Sequence, residues 1–122
     1  MSAFEDVRTI VPLRIWDGVV ARVWSGEHAA LAAIELEPSS IVPEHSHDNE
    51  QTGLLLRGSL TFRVGEETKE LVPGATWVVP AKVPHEVHVG AEGALLVELF
   101  APPRSDWVGL PTVEPGPVAP FV

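Results

Sequence analysis

An all-β domain, folded as an antiparallel sandwich or barrel, is the fold class this sequence predicts, on three observations. Twelve prolines and ten glycines recur every few residues and cut the chain into short runs. The runs between them are rich in Val, Leu, Ile, Trp and Phe, residues that suit a pleated, half-buried surface. No stretch repeats apolar residues at helical spacing over four turns. Many short strands at regular spacing, with turn residues between them, close into a sandwich or a barrel.

Strands are expected near residues 9–13, 19–24, 29–36, 52–57, 60–64, 69–72, 76–79, 85–89 and 94–100. Turns are expected at Asp17-Gly18, Ser25-Gly26, Arg57-Gly58, Val64-Gly65, Pro73-Gly74 and from Gly90 to Gly93. The run HAALAAIEL at 28–36 is ambiguous, since its alanines suit a helix as well. Alternation assigns faces. Leu60, Phe62 and Val64 share one, and Ser59, Thr61 and Arg63 the other. By the same parity His85, Val87 and Val89 lie opposite Glu86 and His88, and Leu96, Glu98 and Phe100 lie together.

The length of 122 residues fits one domain with its own core. Residues 1–107 are expected to form the barrel with its N-terminal strand, and 108–122 a Pro-rich extended tail. That tail could fray, follow the barrel wall or contact a second subunit. Cysteine is absent, which excludes disulfides and thiolate ligands and fits a reducing, cytoplasmic setting. The formal charge of −9 repels phosphate backbones and anionic lipid, so neither nucleic acid nor membrane is an expected partner. No apolar run is long enough for a membrane span, and the start MSAFEDVR lacks the layout of a signal peptide. A small-molecule substrate is the expected partner.

The chemistry concentrates between Pro43 and Gln51, which reads PEHSHDNEQ. His45 and His47, one residue apart on an extended segment, project to the same face and can reach one ion. A third histidine, His85, opens a later strand. Neutral imidazole suits Zn, Fe, Ni, Cu or Co.

These residues closely resemble the cupin superfamily, and specifically its small single-domain members. His45-x-His47, then Gln51 after three residues, then six residues and Gly58, follow the first cupin motif. Gly74, five residues, Pro80, and His85 downstream follow the second. Ser39 and Lys82 stand where the motifs usually carry glycine, Val89 where asparagine is common, and Gln51 where a carboxylate is usual. The resemblance implies a double-stranded β-helix, or jelly-roll barrel. Inside it His45, His47, Gln51 and His85 would hold one divalent transition metal ion (Zn, Ni, Mn, Fe or Co). It also implies a homodimer, for which the apolar terminal strands could supply the interface. Barrel walls are expected from Leu55, Val87, Leu96 and Phe100, with Phe62 and Trp77 as further candidates; of these Leu55, Val87 and Phe100 are expected to contact substrate.

Parity places Glu98 inside, where burial would raise its pKa toward that of a general base; the alternative is a solvent-facing carboxylate, or one paired with Arg22 or Arg57. Glu98, Phe100 and Arg104, at spacings of two and six, resemble the end of KdgF-type cupins, which open unsaturated uronates into linear keto sugars. There Arg104 would hold the substrate carboxylate, although the family acid is typically Asp. Three functions follow as expectations: Lewis-acid isomerase, lyase or ring-opening chemistry on a carbonyl or sugar acid; a non-haem iron dioxygenase; or a non-catalytic binder of a small ligand. His28 and His88 are assigned no part in the site.

Overall fold

The computed structural model describes residues 2–114, which form eight antiparallel strands and two short 3-10 turns. The strands are β1 (Leu13–Trp16), β2 (Val19–Ser25), β3 (Ala30–Leu36), β4 (Ile41–His45), β5 (Glu50–Val64), β6 (Glu67–Leu71), β7 (Thr76–Val79) and β8 (His85–Ala101). Their order is β1-β2-β3-β8-β5-β6, with β4 also on β8 and β7 also on β5. The frame is the long pair β5 and β8, which runs from Glu50 opposite Ala101 to Val64 opposite His85. Each half of this pair takes a different outer neighbour, which rolls the sheet into a jelly-roll barrel.

The sequence reading breaks both long strands: β5 at Gly58, and β8 between Gly90 and Gly93. In the structure both strands run on: Gly58 stays paired, opposite Ala94, and the register shifts at Leu55/Arg57 and Gly58/Leu60, the second shift leaving residues 90–93 of β8 without a β5 partner. Bulges absorb the irregularity without ending the strand. The reason for glycine at 58 is contact: a Cβ there would lie 1.9 Å from the Gly93 carbonyl oxygen, and φ is +80°. The first strand begins later than expected. Asp6 caps a 3-10 turn at Val7–Thr9 by accepting from the Arg8 N–H, and Pro12, without an N–H, precedes β1. β4, absent from the sequence expectation, pairs with the start of β8. The run at 30–36 is a strand whose alanines are buried on both faces: Ala32 in the core, and Ala33 on the opposite face beside Trp24, Val97 and the N-terminal segment.

The expected faces hold. Leu60, Phe62, Val87, Val89, Leu96 and Phe100 point into the core. From the tail, residues 111–113 run beside β1, with the Arg14 N–H on the Pro111 carbonyl at 2.8 Å and the Val113 N–H on the Pro12 carbonyl at 3.0 Å. The rest of the proposed tail, from 115 to 122, lies outside the described residues. Ser39 (φ +59°) and Lys82 (φ +68°) both occupy the left-handed region, which explains why glycine suits these two positions.

Candidate functional site

Three elements bring the histidines together. His45 ends β4 and, by register, faces His85 at the start of β8; His47 sits in the loop to β5. The Lys82 N–H donates to the His47 carbonyl at 2.7 Å and ties this loop to the turn before β8. Ring centroids are 4.2 Å apart for His45 and His85, 4.9 Å for His47 and His85, and 5.7 Å for His45 and His47. One ligand atom from each lies within 4.8 Å of the other two, so the cluster could hold a metal ion.

Each Nδ1 is committed to a backbone carbonyl: His45 to Pro43 at 2.8 Å, His47 to Asn49 at 3.0 Å and His85 to Val83 at 2.9 Å. The carbonyls accept, so the proton sits on Nδ1 and each Nε2 presents a lone pair. Burial lowers the pKa of all three, to about 4 for His85, which keeps them neutral. Two features fit a cation. His85 Nε2 is buried with no hydrogen-bond partner. His47 Nε2 faces Gln51 Oε1 at 3.0 Å, where two acceptors would otherwise oppose each other. A donor set of three imidazoles and one amide oxygen matches a borderline transition metal.

Behind Gln51 lies Glu98, buried among apolar neighbours as parity required and facing neither solvent nor Arg22, whose partner is Glu35 at 2.5 Å. Gln51 Nε2 and Trp77 Nε1 both donate to Glu98 Oε2, the latter at 2.8 Å. Burial pushes the carboxyl up to about 7, against the opposing pull of these two donors. Gly53, paired with both Glu98 and Trp77, lets the indole lie on the strand: a Cβ there would approach Trp77 Cε2 to 2.4 Å.

At the mouth, Arg104 lies over the rings of Phe100 (5.0 Å) and Trp107 (4.5 Å), a cation on two aromatic faces. Its Nε and Nη2 grip Asp106 at 2.8 and 2.6 Å. The Asn49 amide donates to the Pro102 carbonyl at 2.6 Å, fastening the segment before Arg104 to the histidine loop. A cavity of about 50 Å³ joins these parts, lined by His45, His85, Gln51, Glu98, Arg104, Phe100, Val87 and apolar residues of β1 to β3. Leu55 is a correction: it is fully buried in the core and does not line the cavity. It shares the inward parity of Gln51, but the Ala75 and Gly74 backbones pair with it farther along the barrel. Trp77 also stands behind the cavity and touches its lining through Glu98 and Phe62. His88 is on the outer face with Glu86, and His28 is exposed.

Sequence reasoning missed Trp16, 5.4 Å from His45, as well as Asn49, Asp106, Trp107 and the bond from Trp77 to Glu98. Of these only Asp106, two residues from the arginine, left a local signal.

A family model for the cupin domain matches residues 32–100, more than half of the chain. The chain is a cupin. No curated protein matches its sequence. Among solved structures, it is similar to an RmlC-like cupin from Shewanella frigidimarina at TM-score 0.81 and 21% identity, covering 88% of this chain and 97% of that one. KdgF from a Halomonas species follows at TM-score 0.78 and 18% identity, covering 87% and 98%. A variant of oxalate decarboxylase from Bacillus subtilis aligns at TM-score 0.70 and 20% identity over 84% of this cupin and 31% of that chain. These likenesses establish the shared fold. No helix among the described residues is long and apolar enough to cross a membrane.

Proposed function

We propose that this cupin is a metal-dependent enzyme that moves a proton at the carbon beside the carbonyl of a small organic acid, as isomerases, lyases and ring-opening enzymes do. The observation that carries this reading is the buried Glu98 carboxyl, one amide away from the histidine cluster. His45, His47, His85 and the Gln51 amide oxygen would hold the ion, one of Zn, Ni, Mn, Fe or Co. When bound, it supplies Lewis-acid polarisation of a carbonyl oxygen. Glu98 is the proposed base. Two N–H donors fix its Oε2, so the carboxyl is held in one orientation, and its Oε1 is assigned the substrate proton. Apolar walls exclude water around it. Arg104, steadied by Asp106, Phe100 and Trp107, faces the substrate carboxylate. The spacing shared with KdgF-type cupins supports these roles.

The experiment is solvent deuterium incorporation. Metal-loaded protein is incubated with small oxo acids in D₂O and exchange at the carbon beside the carbonyl is followed by NMR. Glu98→Gln should lower exchange by roughly 100-fold or more, with metal content unchanged by elemental analysis. Wild-type exchange in that variant would refute the assignment. Dioxygen uptake by the iron-loaded protein would replace this reading with the dioxygenase one. We place the reaction in the cytoplasm, in keeping with a cysteine-free chain. The proposed assembly is a homodimer through the outer sheet face, where Leu54, Leu56 and Val78 are exposed; sedimentation at micromolar concentration checks it.

A further inference from the structure

We infer that the substrate is a short oxo acid with an aliphatic tail, and that hydroxylated acids such as uronates are excluded. This narrows the proposed function and rests on it. Eleven of the sixteen residues lining the cavity are apolar. On the sheet that also carries Gln51, Glu98 and Phe100, β2, β3 and β8 contribute an aliphatic group to the lining: Val19, Ile34, Leu36 and Leu96.

The polar lining is already committed. His45 and His85 spend Nδ1 on backbone carbonyls. Gln51 gives its amide N–H to Glu98 and turns its oxygen toward the proposed metal position beside His47. Arg104 gives Nε and Nη2 to Asp106. What these groups leave open suits one carboxylate and one carbonyl oxygen. Several sugar hydroxyls would be buried against hydrocarbon, and each left unpaired costs about tenfold or more in affinity. The volume agrees. At about 50 Å³ the whole cavity is a fraction of the roughly 150 Å³ that encloses a benzene ring, which favours a small acid over a sugar ring.

The carboxylate therefore sits at Arg104, the carbonyl faces the imidazoles, and the tail lies on the aliphatic group. Trp16 and Trp107 line the same cavity and report occupancy by fluorescence. Protein loaded with zinc, its stoichiometry fixed by elemental analysis, is titrated with pyruvate, 2-oxobutanoate, 3-methyl-2-oxobutanoate and galacturonate. Affinity should rise about threefold to fourfold with each added carbon, and galacturonate should give no saturable change. A flat series, or saturation by galacturonate at comparable concentration, overturns the inference. Ile34→Ala, its folding verified by a cooperative melt, should move the tightest ligand to a longer chain while galacturonate still fails to bind. Glu98→Gln separates the two proposals: the chain-length trend survives there even when exchange is lost. Exchange that persists in Glu98→Gln refutes the base alone, and a lost trend in the wild type refutes the substrate class alone.

Discussion

Gln51 does two jobs with one amide. Its oxygen turns toward His47 and the proposed metal position while its nitrogen holds Glu98, so a flip would set an amide oxygen against the Glu98 carboxyl. Replacement by Glu would offer an anion to the metal side but set a carboxylate against the Glu98 carboxyl. Gln51→Glu should therefore retain metal and lose proton exchange, which elemental analysis and NMR in D₂O would read together. The imidazoles carry a separate prediction. Because burial holds their folded pKa values below the ordinary 6.5, with His85 at about 4, they remain neutral in acid that would protonate free histidine. Zinc uptake should persist to well below pH 6.5 and fail as His85 titrates; His85→Ala should weaken it by roughly 100-fold or more. In the metal-free protein these histidines favour folding above pH 6.5, and that contribution is lost as pH falls toward 4. Glu98 has the opposite sign: raised to about 7, it favours folding below pH 4.5 and loses that effect as pH rises through 7. Urea titrations of Glu98→Gln against wild type across pH 4–8 would resolve this second component.

At the scale of elements, glycine separates what was legible in the sequence from what was not. The two-residue alternation placed Glu98 and Phe100 inside and His88 outside, because parity survives wherever pairing is regular. Gly58 and Gly90 read as turns, yet both mark places where β5 and β8 touch: a Cβ at Gly90 would meet Ser59 Oγ at 2.2 Å. Composition cannot distinguish a glycine that ends a strand from one that lets two strands approach. β4 was hidden for a related reason, since Pro43 interrupts a short edge segment whose partner is distant in the chain. The three histidines were legible through motif spacing. The Trp77 contact was not, because it depends on which residues β5 and β7 set opposite each other. Ser39 and Lys82, at φ +59° and +68°, lack the residue their backbone favours. Ser39→Gly and Lys82→Gly should each raise stability by about 0.5–1 kcal/mol, the left-handed penalty less the added chain entropy. Gly58→Ala should lower it by at least ~3 kcal/mol, given backbone at 1.9 Å. Chemical denaturation measures all three.

For the molecule as a whole, a metal that binds only the folded state adds stability by mass action, about 2.7 kcal/mol at 100 times its dissociation constant. A chain of 122 residues should then melt about 10 °C higher with zinc than with chelator, and His85→Ala should erase the difference. The origin of the site residues has a further consequence. Gln51 and Glu98 belong to one continuous strand pair, with Phe100 directly across from Gln51 and Gly53 from Glu98. His45 and His47 instead come from an edge strand and the loop after it. The amide and the acid are thus locked to each other by a ladder of main-chain bonds, whereas two of the three imidazoles ride on a replaceable segment. Grafting a different 43–49 loop could retune which ion the barrel prefers, and leave the machinery for handling protons where it stands.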